Sequence, residues 1–579
     1  MCIPDHASSE PRFSIDEIPF SYHGAWFGIS GVLAEHRRAD DLHLVSHQNG
    51  MHPALRFVPT LGGDRAATTI TATSSQLTWS HSAGRLALAY ERADTIRLRG
   101  DGLGVRIAAA NPTLTPFSGP YLYRDPVDGA YVYTLYETGR RYRITVVTGE
   151  LIDALGAQAL GEAERVLVLP DDRPWELAIE EYESGRAPYV AAAPFSQVVA
   201  AAGASFAAFA DAVAPWRTAA TPAAALAAYV LWSATVRPAG FVTRRAVLMS
   251  KHWMDKVWSW DHCFNALALA SGLPDLGWDQ FKLVFDHQDS AGSLPDSVTH
   301  SEVLYNFVKP PIHGWALRQL RRLVPQPLGH DELTRVYLQL ERWTQFWRER
   351  RRVPGQPLSH YQHGNDSGWD NATTFASDRV VETADLASFL VLQMRELAEL
   401  AAALGRSDDA ARWDAAATEA LEAMLAALWT GDRFVARAAG TTRTWTSASL
   451  LDLMPIVLGT ELPDHVRGAL AGRIRAHLTP YGLATERTTS DHYQADGYWR
   501  GPIWAPATIL VEDGLRRAGF TELADEISAR FRRLCEKSGF AENFDALSGV
   551  GLRDRAYTWT ASAYLILAAA YERRRAVPG

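Results

Sequence analysis

The sequence predicts an N-terminal antiparallel β-sandwich followed by an all-α (α/α)6 barrel. Three observations carry this prediction. The chain has 579 residues, which is far more than one average domain contains. Short strand-like runs separated by turn residues fill its first part. Apolar residues that recur at three- and four-residue steps, as on amphipathic helices, run through the rest.

Residues 1–185 are expected to form the β-sandwich domain. Short runs rich in Val, Ile, Thr, Tyr and Leu recur there, and turn signals such as Asp101-Gly102 and Asp128-Gly129 separate them. We interpret Gly102–Gly104 as a hairpin turn, because no phosphate-loop pattern follows it. The predicted strands are Thr68–Ser75, Arg85–Arg92, Thr95–Arg99, Val105–Ala110, Tyr131–Glu137, Tyr142–Thr148 and Arg165–Leu169.

Residues 186–222 are expected to be an Ala-rich helical linker, and residues 223–579 the barrel. The second range holds about a dozen helices if each helix with its loop takes ~30 residues. A toroid of helix pairs accommodates that number, whereas a stacked solenoid would show a sequence period. The predicted helices include Leu317–Leu323, Arg335–Arg348, Thr383–Leu404, Asp408–Leu428, Glu461–Leu478, Ala505–Gly519, Glu522–Lys537 and Thr560–Arg574.

Composition excludes several classes of function. The net charge of -9 argues against a nucleic-acid partner, which would favour a basic patch. Cys2, Cys263 and Cys535 are too few and too far apart for a disulfide framework. The N-terminus has no apolar signal region, and no uninterrupted apolar run approaches the ~18 residues of a spanning helix. We therefore expect a cytoplasmic protein without a membrane partner.

Two stretches stand out as candidates for chemistry. Tyr361–Phe375 is rich in polar residues and glycine, and in it Asp370 follows Trp369. A carboxyl group beside an indole can be kept protonated near neutral pH, because partial desolvation raises its pKa. The alternative is a surface loop whose Asp and Asn cap helices. Phe540–Trp559 offers a second carboxyl, Glu542, among aromatic and turn residues.

The spacing of these two carboxyl groups adds a geometric expectation. Asp370 and Glu542 lie about six helix-and-loop units of ~30 residues apart. An even number of helices between two loops places both loops at the same end of a toroid. Two carboxyl groups at one mouth form a plausible glycosidase site.

Tryptophan is unusually abundant, with 19 in the chain. Core packing explains some of these residues. Indoles near Asp, Arg and Gln also suit sugars, because a pyranose has apolar faces that stack on rings and a polar rim for carboxylates and amides. The expected ligand is therefore a small-molecule carbohydrate, and neither a cofactor nor a metal is expected.

Six motifs, taken together and in order, resemble those of glycoside hydrolase family 63 and its clan relatives, the trehalases of family 37. They cover about 240 to 570, and single motifs would be weak. The motifs are KVWSWDHCFNALAL (256–269), HQDSAGSLPDSV (287–298), KPPIHGWAL (309–317), HGNDSGWDNA (363–372), DGYWRGPIWAP (496–506) and ENFDALSGVGLRDRAYTWTASAYL (542–565).

The resemblance implies a dozen-helix toroid that hydrolyses α-linked glucosides or mannosides with inversion. By match to the motifs, Asp370 falls on the general acid and Glu542 on the general base. For inversion the two carboxyl groups lie about 6.5–9.5 Å apart with a water between, and the base must keep a low pKa. The residues expected to bind the sugar are Trp258, Trp260, Asp261, Gln288, Lys309, Gly368, Trp369, Tyr498, Trp499, Arg500, Trp504 and Trp559.

Other interpretations stay open or fall away at this point. Arg500 and Arg553 could balance the carboxylate charge or form structural ion pairs. Asn371 or Asn543 could orient a carboxylate. The sequence also allows a phosphorylase or lyase on the same toroid, or a sugar-binding protein without turnover. His43 and His47, and the Asp366–Asn371 segment, lack the patterns of metal sites.

Overall fold

A computed structural model describes residues 10–111, 120–158 and 164–576. The chain divides into two compact units, each of which is discontinuous in sequence. The predicted domain limits at residues 185 and 222 stay a prediction, and Cys2 lies outside the described residues. The first unit comprises Met1–Pro215, Ala225–Lys256 and Thr299–Glu302, and the second comprises Trp216–Ala224, Val257–Val298 and Val303–Gly579.

The first unit contains two antiparallel sheets around one apolar core. Their strands are β1 (Phe27–Ala34), β2 (Arg37–Ser46), β3 (His52–Leu61), β4 (Asp64–Arg65), β5 (Thr69–Ala72), β6 (Leu77–His81), β7 (Gly84–Arg92), β8 (Thr95–Asp101), β9 (Gly104–Ala109), β10 (Pro120–Arg124), β11 (Tyr131–Leu135), β12 (Arg140–Thr148), β13 (Asp153–Leu155), β14 (Val166–Leu169) and β15 (Trp175–Tyr182). One sheet has the order β1-β2-β3-β9-β14-β13 with β4 on β3, and the other has the order β10-β11-β12-β15-β8-β7-β6-β5. The predicted β-sandwich is confirmed.

Strand β7 shows how alternation builds this unit. Leu86, Leu88 and Tyr90 point into the core between the sheets. Ala87 and Ala89 point the other way and contact helix α1 (Phe195–Val213). Since successive side chains of a strand face opposite sides, small residues on the outer face let the helix lie close to the sheet.

The hairpin expected at Gly102–Gly104 is wrong. The turn joins β8 to β9, and these strands belong to different sheets. Gly102 has φ +69°, and a Cβ there would come within 2.2 Å of the Ala83 carbonyl oxygen. Glycine at this position therefore permits a tight turn from one sheet to the other. A hairpin turn favours glycine in the same way, so the local sequence does not distinguish the two.

Helix α1 is long and apolar enough to cross a membrane by length and composition alone. One such helix is weak evidence, because core helices meet the same criteria. Phe195 and Val198 pack on β7, and Phe206 contacts Tyr229 and Trp232. The expectation that there is no membrane partner stays a prediction.

The second unit is a ring of helices. Helix α2 (Ala224–Ala234) lies almost wholly in the first unit. The helices of the second unit are α3 (Asp261–Leu269), α4 (Pro274–Leu283), α5 (His313–Leu323), α6 (His330–Gln345), α7 (Ala384–Ala403), α8 (Ser407–Leu428), the 3₁₀ helix Leu450–Glu461, α9 (Asp464–Arg475), α10 (Ala505–Arg517), α11 (Thr521–Ser538) and α12 (Thr558–Ala576). Contacts between neighbours close the circle α3, α5, α7, Leu450–Glu461, α10, α12 and back to α3. In the described part of this unit, α4, α6, α8, α9 and α11 lie outside that ring. The predicted (α/α)6 barrel is confirmed.

Burial separates the inner helices from the outer ones. All nine residues of α3 are buried. Outer helix α8, by contrast, buries one stripe that includes Trp413, Ala417 and Met424. A helix that is apolar on all sides belongs inside a ring, and an amphipathic one belongs at its rim.

Candidate active site

The sequence motifs lie in the loops before inner helices, and several of them continue into those helices. An outer helix returns the chain after each inner helix from α3 to α10, so the inner helices run in one direction and begin at the same end. The loop before α7 carries Asp370, and the loop before α12 carries Glu542. Six helices of more than ten residues separate these loops, in agreement with the spacing argument.

The Tyr498 phenol interacts electrostatically with the carboxyl groups of Glu542, Asp370 and Asp261, and Glu542 accepts a hydrogen bond from it. Burial raises the pKa of the Tyr498 phenol well above its usual value, and the carboxyl groups raise it further. Tyr498 therefore interacts with residues from the loops before α7 and α12 and from the start of α3.

Lys309 supplies buried positive charge to this cluster. Its Nζ lies 3.3 Å from Asp296 Oδ1 and donates a hydrogen bond to the Asn365 carbonyl oxygen at 3.1 Å. Burial by itself lowers the pKa of Lys309, but the carboxylates of Asp370, Asp296 and Asp261 outweigh burial and raise that pKa. The amine is therefore charged and holds several carboxylates near one another.

Asp370 has the properties of a general acid. Burial raises its pKa above the usual value, and the Asp296 carboxylate adds to the rise, although Lys309 opposes it. The direction agrees with the effect expected for a carboxyl beside Trp369, which is only 2% exposed. We call Tyr361–Phe375 the acid loop.

Glu542 departs from the expectation. A base was expected to stay solvated with a low pKa, whereas Glu542 is only 2% exposed. Burial raises its pKa to about 8; the Asp554 carboxylate adds to the rise, and Arg553 and the hydrogen bond from Tyr498 oppose it. We call Phe540–Trp559 the base loop.

The backbone of the base loop explains this burial. Asn543–Phe544 pairs with Gly551–Leu552 as a short antiparallel ladder, and Glu542 N donates to the Asp554 carbonyl oxygen at 2.7 Å. The loop folds over itself and takes the Glu542 carboxyl out of water.

Asp261 is a third buried carboxyl in the cluster. It is the first residue of α3, and burial raises its pKa to about 8 against the opposing effect of Lys309. Its Oδ2 has no hydrogen-bond partner among the described residues. A buried polar atom without a partner is costly, and a sugar hydroxyl would supply the missing bond.

The tryptophans pack against one another instead of forming an open wall. Trp499 lies between Trp369 and Trp504, with ring centroids 4.6 Å and 4.1 Å away, and it is 1% exposed. Trp504 in turn meets Trp559 edge-on at 5.4 Å. Neither face of Trp499 is open to a sugar, so the stacking expected of it is wrong and its role is packing.

Gly368 joins the acid loop to this aromatic cluster. It has φ +73°, and a Cβ would lie 2.5 Å from the Trp260 ring. Trp260 itself is 2% exposed and contacts Phe264, Trp499 and Trp559. Glycine at this position permits a close approach of the backbone to the ring. Of the six tryptophans expected to bind the sugar, Trp258 is half-buried and the others are buried.

The side chains of Gln288 and Arg500 donate hydrogen bonds to backbone carbonyl oxygens. Gln288 Nε2 donates to the carbonyl oxygens of Gly292 and Gln339, at 2.9 Å and 3.0 Å. Arg500 Nε donates to the Asn371 carbonyl oxygen at 2.6 Å. No described contact places either side chain in the carboxyl cluster, because these backbone carbonyls hold them.

Arg553 has both roles that the sequence left open. It forms an ion pair with Asp496 at 2.6 Å and donates to Asn543 Oδ1 at 3.1 Å. Its positive charge also lowers the pKa of Glu542. Asn543 thus contacts the arginine beside the base.

Asp366 supports the site through hydrogen bonds that the sequence argument did not predict. Its Oδ1 accepts a hydrogen bond from Val308 N at 3.1 Å, and its Oδ2 accepts from Gln362 N and from Arg351 Nη1, at 2.9 Å and 2.8 Å. It therefore ties the segment before Lys309 to the acid loop. The sequence offered one signal, the position of Asp366 in the polar string GNDSGWD. Such a string does not show which backbone amides donate hydrogen bonds to the carboxylate.

Residues 254–560, more than half of the chain, match the family described as Mannosylglycerate hydrolase MGH1-like glycoside hydrolase domain. The chain belongs to this family. A mannosylglycerate hydrolase of Rubrobacter radiotolerans is 26% identical over 404 residues, which cover 53% of this chain and 89% of that protein. This agrees with the family 63 resemblance and makes the chain an O-glycosyl hydrolase.

Two solved structures share the fold. The GH63 mannosylglycerate hydrolase of Thermus thermophilus in complex with Tris and D-glycerate is 19% identical, with a TM-score of 0.51 over 59% of this chain and 98% of that chain. A bacterial glucoamylase complexed with acarbose is 10% identical, with a TM-score of 0.65 over 98% of this chain and 95% of that chain. The phosphorylase, lyase and non-catalytic alternatives do not fit the family.

Glu542 should reduce the stability of the enzyme at alkaline pH. Its carboxyl holds a proton more tightly in the folded chain, so the free energy of unfolding should fall as pH rises from about 4.5 to about 8. Glu542→Gln removes this loss, and its advantage over the wild type should grow across that range, by up to a few kcal/mol. Urea denaturation at several pH values measures it. The exposed Glu422→Gln is the control, and a pH-independent offset for Glu542→Gln contradicts the argument.

Trp499→Ala should destabilise the fold by about 3–5 kcal/mol, because it empties a site between two stacked indoles. Trp258→Ala, at a half-buried position, should cost clearly less. Guanidinium denaturation compares the two variants. Equal losses for both, or a Trp499 variant as stable as the wild type, would show that the indole stack does not support the barrel.

Proposed function

We propose that this chain hydrolyses small α-glycosides of the mannosylglycerate type and releases the terminal mannose or glucose with inversion. The observation that carries the proposal is the placement of Asp370 and Glu542, from two loops six helices apart, around the hydroxyl of Tyr498. The relatives named mannosylglycerate hydrolases support the substrate class. The cytoplasmic location stays a prediction.

In the proposed reaction, Asp370 donates its proton to the glycosidic oxygen as the bond from that oxygen to the anomeric carbon breaks. A water oxygen forms the new bond to that carbon from the opposite face, and Glu542 takes the proton of this water. One turnover leaves Asp370 ionised and Glu542 protonated, and solvent exchange restores both groups.

The pKa of about 8 for Glu542 shapes the pH dependence of this reaction. The productive form needs Asp370 protonated and Glu542 ionised, and burial raises the pKa of both carboxyl groups. Below about pH 8 most Glu542 still holds its proton, and at sufficiently alkaline pH Asp370 loses the proton that it must donate. We therefore expect kcat/KM to fall at alkaline pH.

Asp370→Asn should lower kcat about 10²–10⁴-fold on natural glycosides, the usual size of acid catalysis. α-Glycosyl fluorides need no protonation of the leaving group, so their hydrolysis should suffer less. The variant's rate on the fluoride should rise with pH through about 8, because only ionisation of Glu542 remains required. The exposed Asp491→Asn is the control. Equal losses on both substrates, or a rate that falls with pH, would remove Asp370 from the acid role.

Proton NMR of the first minutes of hydrolysis should show the β-anomer of the released sugar before mutarotation. Mannosylglycerate and glucosylglycerate are the substrates to compare, with an unlinked α-mannose sample as the mutarotation control. A base acting through water inverts the centre in one step. If the α-anomer appears first, Glu542 is a nucleophile and the inverting mechanism fails; if neither glycoside is cleaved, the substrate class fails.

A further inference from the structure

Asn371 connects the acid loop to both neighbours of Tyr498. Asn371 Nδ2 donates to the Gly497 carbonyl oxygen at 3.0 Å, and Asn371 Oδ1 accepts from Trp499 N at 2.9 Å. The Asn371 carbonyl oxygen also accepts from Arg500 Nε at 2.6 Å. The residue that follows the proposed acid therefore holds the segment 497–500 by three hydrogen bonds.

Tyr498 has a backbone conformation that needs such support. Its φ is +62°, in the left-handed region that a bulky side chain rarely adopts. Trp504 Nε1 donates to the Tyr498 carbonyl oxygen at 2.8 Å. The guanidinium of Arg553 lies 4.9 Å from the centroid of the Tyr498 ring. Backbone, ring and hydroxyl of Tyr498 are thus each held by a different neighbour.

We propose that Asn371 is a positioning residue that couples the acid to the base. Through Gly497 and Trp499 it holds Tyr498 in the left-handed conformation, and Tyr498 holds the Glu542 carboxyl toward the attacking water. This rests on the proposed roles of Asp370 and Glu542. Asn371 is the neighbour of Asp370 in the chain, so a shift of the acid loop also shifts Tyr498. Since Tyr498 holds Glu542, the distance between the carboxyl groups of Asp370 and Glu542 is maintained.

The chemistry explains why such a coupling matters. An inverting site must keep room for one water between its carboxyl groups, and a displacement of about 1 Å can cost ~100-fold in rate. The Tyr498 hydroxyl also donates to the ionised form of Glu542. The other charged or titratable groups around Glu542 are Asp554, Arg553 and Tyr557.

Tyr498→Phe keeps the ring and the backbone and removes only the hydroxyl. It should lower kcat about 10–100-fold with a smaller change in KM. Loss of the donor to ionised Glu542 should move the rising limb of the pH profile, measured on an α-glycosyl fluoride in the Asp370→Asn background, to higher pH. Asn371→Ala should also lower kcat and move the same limb of the pH profile to higher pH.

A double-variant cycle separates coupling from loop stability. Asn371→Ala should add little to kcat loss once Tyr498→Phe is present, because both variants disturb one unit. Asn371→Asp, which keeps the acceptor for Trp499 N and loses the donor to Gly497, should fall between wild type and Asn371→Ala. Thr373→Val is the matched control: Thr373 Oγ1 anchors the same loop to Glu486 Oε2 at 2.7 Å, so it should lower stability without moving the limb.

Two results would overturn the coupling. One is a rising limb that Tyr498→Phe does not move, and the other is multiplication of the two single-variant losses in the double variant. A limb that moves equally in Thr373→Val would also refute it. Failure of the proposed function would give a different result from failure of the coupling. Glu542→Gln would then retain hydrolysis of the natural glycoside, regardless of the activity of the Tyr498 variant.

Discussion

Burial of several carboxyl groups beside one another governs the rest of this site. Asp261, Asp370 and Glu542 all interact with one phenol hydroxyl, and burial raises the pKa of each carboxyl. Like charges this close cannot all be ionised in a poorly solvated place. Lys309 compensates part of the charge, and protons held by the remaining carboxyls compensate the rest. The burial that makes the site less stable at high pH is therefore also what raises the pKa of its carboxyl groups.

The indole cluster provides the environment that maintains this burial. Trp499 stacks on Trp504 and meets Trp369 at a tilt. Trp559 meets Trp504 and Trp260 edge-on, and Trp260 lies tilted against Trp499. Large rings that cover one another exclude water and have few accessible rotamers, so the loops that they join are held rigidly. The tryptophans therefore contribute to the desolvation of the carboxyl groups in these loops.

Strained backbone concentrates at the same place. Within the described residues, non-glycine residues with positive φ are Asn49, Tyr498 and Arg553, and the last two contact each other at the site. Strain of this kind persists only where surrounding bonds over-determine the conformation. Here those bonds come from Asn371, Asp496 and Asn543, which lie in three loops and so make the loops depend on one another.

Sequence periodicity determined the fold class, because a two-residue period and a 3.6-residue period are local properties. Helices such as Ala384–Ala403 and Ser407–Leu428 match their predicted bounds within a residue or two for that reason. The count of helices also determined that Asp370 and Glu542 share one end of the ring. The burial of Glu542, the covering of both faces of Trp499, the bonds of Asp366 and Asn371 and the crossing at Gly102 were decided by tertiary structure. Each depends on which distant backbone or ring lies opposite a residue, and no local pattern carries that information.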